Sequence, residues 1–190
     1  IREYIRNFIM SKLETNTIDN ISGSTTLTIG DSNTSTIALK SGATLTNFPA
    51  NTPSFKVTKN ASQSISNGSF TKVTWQTEEW DTNSAFASDK FTVPSGEAGK
   101  YWFQGTTEMP GIDDGEFVNM MVYKNGASQN GSTARWYSPA TNTPIRARVQ
   151  VILDLAVGDY IEIYIYQNSG DSQNAIDSET FFTGYKLIGA

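Results

Sequence analysis

The chain has 190 residues, with 14 Lys and Arg against 19 Asp and Glu, a formal charge of −5, and neither cysteine nor histidine. That length holds one well-packed domain plus an appendage, and the missing residue types exclude disulfides, thiolate nucleophiles, His-dependent triads and the usual zinc sites. No basic stretch interleaves with aromatics as a nucleic-acid track does, and no run approaches the roughly 20 apolar residues of a membrane span or the layout of a signal peptide, so neither nucleic acid nor membrane insertion is expected.

In chain order, IREYIRNFIM (1–10) sets Ile1, Tyr4, Ile5, Phe8 and Ile9 at helical spacing, which fits a short anchoring helix. MSKLETNTIDN equally reads as a natural opening from Met10, with 1–9 as upstream sequence. Residues 1–14 are therefore read as an N-terminal attachment segment. From Thr15 to Asn47 the composition changes: Thr, Ser, Asn and Gly fill 21 of 33 positions, and only Asp19, Asp31 and Lys40 are charged. Leu13, Ile21, Ile29, Ile37 and Leu45 recur every eight residues, with Gly23, Gly30 and Gly42 between them. A strand-and-turn unit of eight residues cannot bury its own apolar face, so such units need stacked or intertwined copies. The pattern predicts a β-structured stalk over 15–52, shared by three chains; a flexible polar linker is the alternative that this composition also allows. FPANTP (48–53), with its two prolines, marks the junction between stalk and head.

All four Trp and nearly all Tyr and Phe lie at Phe48 or beyond, so the hydrophobic free energy resides in 53–190. FKVTK (55–59), FTKVTWQ (70–76), KFTVP (90–94), KYWFQ (100–104), EFVNMMVYKNG (116–126), RARVQVILDL (146–155), YIEIYIYQ (160–167) and FFTGYKLIG (181–189) read as strands separated by turn signals. Eight or so short strands without a central helix predict an all-β sandwich or barrel. Asn125-Gly126 fits a type I′ hairpin turn, in which both central residues need positive φ. In YIEIYIYQ, Ile161, Ile163 and Ile165 share one face and Tyr160, Tyr164 and Tyr166 the other. We assign the Ile face to the sandwich core and the Tyr face to a trimer axis, exposed amphipathic tyrosines being the alternative.

Phe86 and Phe91 in NSAFASDKFTVP, followed by Gly99, Tyr101 and Phe103 in GKYWF, resemble the Phe, Phe, Gly-x-Tyr-x-Phe signature of C1q-like domains. VYKNG (122–126), LAVGDYIEIYIYQ (155–167) and FFTGYKL (181–187) follow in that family's order. The resemblance covers 53–190 and implies a ten-stranded jelly-roll head (C1q/TNF-like) assembling as a compact homotrimer. The chain departs from the family in lacking a collagen-like stalk; its Thr/Ser/Asn-rich octads are similar to stalks of bacteriophage fibre proteins instead.

Candidate sites are few. Asp113, Asp114 and Glu116 in GIDDGEF, with Asp171, Asp177 and Glu179 further on, are oxygen ligands of the kind that suits calcium, and the resemblance implies calcium near the apex of the head; solvated loop charge is the alternative. The adjacent pairs Glu78-Glu79 and Asp113-Asp114 raise a glycosidase, but neighbours on a strand face opposite ways, so no catalytic residue is assigned and no enzyme is expected. Trp75 and Trp102 sit within strand patterns and are read as core. Trp80, Trp136 and Tyr137, in loop-like contexts, are the candidate ligand-binding residues, able to stack on a sugar or simply to pack. The function implied is a virion structural protein: a trimeric fibre or appendage joined to other virion proteins through its N-terminus. Its head would bind a host glycan or surface protein, or decorate the particle. A secreted C1q/TNF-like recognition or adhesion module and a purely structural capsid or filament subunit are the other readings.

Overall fold

The computed structural model describes residues 51–188, together with Ser41. The attachment segment and almost all of the octad stretch lie outside the described residues. The chain runs through β1 (Ser54–Thr58), β2 (Gln63–Ile65), β3 (Thr71–Lys72), β4 (Thr77–Asp81), β5 (Phe86–Ala87), β6 (Lys90–Thr92) and β7 (Gly99–Ile112). It continues through β8 (Phe117–Lys124), β9 (Ala127–Tyr137), β10 (Thr143–Leu155), β11 (Tyr160–Gln167), β12 (Gln173–Ala175) and, after a 3₁₀ turn at Asp177–Glu179, β13 (Phe181–Lys186). The jelly roll expected as ten strands thus has thirteen, the surplus coming from pieces of two or three residues such as β2, β3, β5 and β12. Among the described residues no helix is long and apolar enough to cross a membrane.

Two antiparallel sheets form the sandwich. The first has the order β10-β7-β13-β1-β4, and the second β5-β6-β11-β8-β9, with β3 also pairing β11. A third, two-stranded pair joins β12 to β2. Because side chains alternate across a strand, each long strand sends one set between the sheets. β7 sends in Tyr101, Phe103 and Met109, and β11 sends in Ile161, Ile163 and Ile165, all fully buried as the alternation predicts. The same alternation corrects one expectation: Trp102, between Tyr101 and Phe103, points out of the sandwich and is only half-buried.

An aromatic stack fills the centre. Phe55 lies 5.1 Å from Phe91 and 4.8 Å edge-on from Phe182, and Phe103 sits 5.6 Å from Phe91, ring centre to ring centre. Burying each such ring stabilises by roughly 1.5–3 kcal/mol. The stack closes only because β13 has no side chain at position 184, where a Cβ would strike the Phe103 ring and come within 3.0 Å of Phe55 Cε1.

β1 and β13 are the ends of the described domain, and they pair with each other, Ser54 opposite Tyr185 and Thr58 opposite Phe181. Lys186 N–H donates to the Pro53 carbonyl at 3.0 Å, so the chain enters and leaves at one pole. The Asn125-Gly126 turn has φ of 54° and 77°, as a type I′ hairpin requires. Two strands appear where loops were expected. β4 (TEEWD) and β9 (ASQNGSTARWY) are sheet edges, exposed along most of their length, so neither shows an apolar face in its sequence. Conversely FTKVTWQ is a strand only at Thr71–Lys72.

Replacing Gly184 by Ala overpacks the stack. Urea unfolding of G184A should show stability lowered by about 1–3 kcal/mol with an unchanged slope, the value typical of core overpacking.

Candidate functional site

The outer face of the first sheet is unusual in composition. Pairing sets Ile152 opposite Trp102 and Trp102 opposite Tyr185, with the last two rings 5.3 Å apart. The next row is Gln150, Gln104 and Thr183, where Gln150 Nε2 donates to Gln104 Oε1 at 2.8 Å, and the third is Arg148, Thr106 and Phe181. On β10, β7 and β13 Arg148 is the one charged residue of these rows, and the second row continues into β1 at Lys56, opposite Thr183. Ile152 is 58% exposed. Beyond the third row Arg146 binds Glu108 and, at 3.2 Å, Glu179. The hydrogen bond to Glu108, and then the charges of both carboxylates, hold the guanidinium pKa above its ordinary value.

The three ligand candidates do not converge. Trp80, 45% exposed, stands on this face at its β4 margin, with Lys56 Nζ 5.8 Å over the ring. Trp136, 46% exposed, reaches round β10 at the opposite margin, where its Nε1 donates to the Arg148 carbonyl at 3.4 Å. There it lines a depression of about 300 Å³ with Thr106, Arg146 and Phe181. Tyr137, next along β9, turns the other way and packs 5.4 Å from Phe117 on the outer face of the second sheet.

Tyr160, Tyr164 and Tyr166 share that second outer face, half-buried by their own chain. Tyr164 stacks on Tyr123 at 4.0 Å, Tyr166 lies 5.7 Å from Phe117 and 4.9 Å from Phe70, and Lys90 Nζ sits 4.4 Å over Tyr160. Glu162, buried between them, pairs with Lys72 at 2.7 Å. Burial first, and then the Glu162 charge, raise the Tyr164 pKa.

The acidic loop does not fit a calcium site. Glu116 Oε2 accepts from the Asp113 N–H within its own loop, and Asp113 Oδ1 accepts from the N–H of Asn142 in the β9–β10 loop, both at 2.7 Å. Of the second group, Asp177 accepts from Ser62 and Glu179 pairs with Arg146. Among the described residues no three carboxylates gather in a metal-binding geometry. Glu79 pairs with Lys56 on the outer face at 2.9 Å, while Glu78, opposite Val57, faces the inter-sheet side.

The same two-sheet arrangement occurs in known structures. The globular domain of zebrafish complement 1qA protein matches with a TM-score of 0.52 at 17% identity, covering 72% of this chain and 98% of that one. The fold is the C1q/TNF-like jelly roll. Eiger TNF from S. frugiperda matches at 0.54 and 15% identity over 72% of this chain and 93% of its own, and murine APRIL at 0.54 and 16% over 70% and 98%. No protein-family model matches the sequence, and neither does any curated protein.

Within this jelly roll the row Ile152, Trp102 and Tyr185 was not among the residues that sequence reasoning selected. A signal existed: in RARVQVILDL the outward set is Arg146, Arg148, Gln150, Ile152 and Asp154, and Ile152 alone is apolar. The Gly-Asp turn of the jelly roll is held by Asp159, which binds Lys124 Nζ at 2.8 Å, Asn125 Nδ2 at 2.7 Å and the Ala156 N–H at 2.8 Å. Lys124, then Asn125 and that N–H, lower its pKa to about 2. A carboxylate depressed in the folded state stabilises above its ordinary pKa near 3.8, and the effect disappears as pH falls from there through about 2. The thermal midpoint should therefore fall between pH 4 and pH 2, and D159N, already lacking the charge, should start lower and fall less over that interval.

Proposed function

We propose that the chain forms the head of a homotrimeric adhesion protein that recognises its target by multivalent binding and performs no chemistry. Three copies meet through the outer face of the first sheet. The observation that carries this is the charge depletion at the centre of that face on β10, β7 and β13, where Ile152, Trp102, Tyr185 and Phe181 stand around a glutamine pair and Arg148, with Lys56, Arg146 and Glu108 around the patch. Such depletion, with aromatics and Arg enriched, marks interface cores rather than open surface. The resemblance to C1q-like heads supports the same stoichiometry. The tyrosines of β11 are less suited to a trimer axis, since their rings are already engaged within one chain. Three identical weak sites on one rigid head gain affinity through effective concentration.

The finer reading places this head on a virus particle, as a fibre or decoration joined to other virion proteins through residues 1–14. Its support is the octad stretch over 15–47, similar to bacteriophage fibre stalks, where C1q-family chains usually carry collagen-like triplets. A secreted recognition module would use the same head.

Light scattering should give three chain masses for the native protein and one for I152D or W102E. A native monomer at micromolar concentration defeats the trimer. Gold-labelled antibody on intact particles from the source should then mark fibres or capsid; particles that remain unlabelled leave the secreted module or a structural filament subunit as the reading.

A further inference from the structure

The two margins of the first sheet's outer face are unlike. Near β10 a depression of about 300 Å³ lies over Thr106, walled by Phe181, Trp136, Arg146 and Arg148. Two of its walls are held in place, Trp136 by its hydrogen bond to the Arg148 carbonyl and Phe181 by Lys56 Nζ, 5.7 Å over its ring. At the opposite margin β4 reads TEEWD, and Trp80 projects from it, 45% exposed. β7, β13 and β1 lie between the two margins, a distance of roughly 19 Å at the usual strand spacing. No chain can therefore seat its own Trp80 in its own depression.

The charges divide in the same way. Arg146 holds Glu108 and Glu179, whereas Arg148, exposed two residues on, has no carboxylate partner among the described residues. A guanidinium that another chain covers loses its hydration, so whatever covers this face must bring an acceptor. Of the outward carboxylates, Glu108 and Glu179 are taken by Arg146, and Asp154 stands three rows away, opposite Lys100. Glu79 remains. It is the extra residue of the bulge where β4 pairs β1, next to Trp80, and its bond to Lys56 at 2.9 Å leaves carboxylate oxygen for a second donor. Trp80 shares a row with Lys56, Thr183 and Gln104, and Arg148 stands in the next row, so the acidic knob and the basic depression sit at nearly one height.

We propose that each copy seats Trp80 in the depression of the next copy and sets Glu79 against that copy's Arg148, an inference that rests on the homotrimer read above. A three-fold ring needs unlike surfaces to meet, one patch given and another received, and the two margins supply them. Burying the indole against Phe181, Trp136 and Thr106 takes its exposed apolar area out of water, and aromatic anchors in pockets are where interface energy concentrates. Arg148 gains its acceptor in the same step. Three repeats of the contact bring every β4 margin onto a β10 margin and leave neither over.

Sedimentation equilibrium of the full chain reads the trimer dissociation constant. W80A should raise it about thirtyfold or more, the cost of truncating an anchoring Trp. Its far-UV circular dichroism should stay unchanged, because Trp80 stands on an edge strand. R148E and E79R should each weaken the trimer, and E79R/R148E should recover most of the loss, which a merely misfolded chain would not do. A W80A trimer as tight as the native one leaves the depression to another ligand and overturns the contact. So does a double variant no tighter than either single one. In both cases I152D still dissociates the trimer, so the assembly reading survives; a native chain that sediments as a monomer removes that reading instead, and this contact with it.

Discussion

The head is organised around a contact in which one residue contributes no side chain. Phe55, Phe91, Phe103 and Phe182 come together only where β13 lets the ring of Phe103 approach its backbone at Gly184. Interiors are packed as densely as organic crystals, so the volume left out at 184 is filled by the ring and not by slack. With the stack in place the two sheets have a fixed separation, and the alternation along β7, β10 and β11 then decides what every outward residue meets.

The two outer faces have been put to different uses. On the second sheet the rings of Phe70, Tyr166, Phe117 and Tyr137 lean on one another in sequence, and Tyr123 covers Tyr164, so the face is largely self-sufficient. On the first sheet Ile152 finds no comparable cover, and charges are confined mainly to the margins. One sequence rule generates both faces, because β-branched and aromatic residues suit a pleated surface whether or not something else will lie over it. The difference is set by the neighbours that the register brings alongside.

That is also why the sequence told some of this and not the rest. The isoleucines of YIEIYIYQ are buried because period-two alternation is a local property, and the Asn125-Gly126 turn is equally local. β9 was invisible because ASQNGSTARWY borrows its apolar cover from β8, and β4 because only its pairing with β1 gives TEEWD a direction. Trp102 was misread since a strand assignment alone does not say which of two alternating sets faces in. The carboxylates of GIDDGEF show the limit on a finer scale: Glu116 holds an N–H of its own loop and Asp113 one of the β9–β10 loop, partners that spacing does not disclose.

The pairing of the first and last strands has a mechanical meaning. Ladder hydrogen bonds run across the strands, at right angles to β1. A pull that enters at Ser54 and is resisted at the far pole draws β1 along its own length between β13 and β4. The bonds on both flanks are then loaded together in shear rather than peeled one after another. A head tethered through its first strand in this way holds under tension as a unit, while a pull applied between its two ends would part the same ladder like a zip.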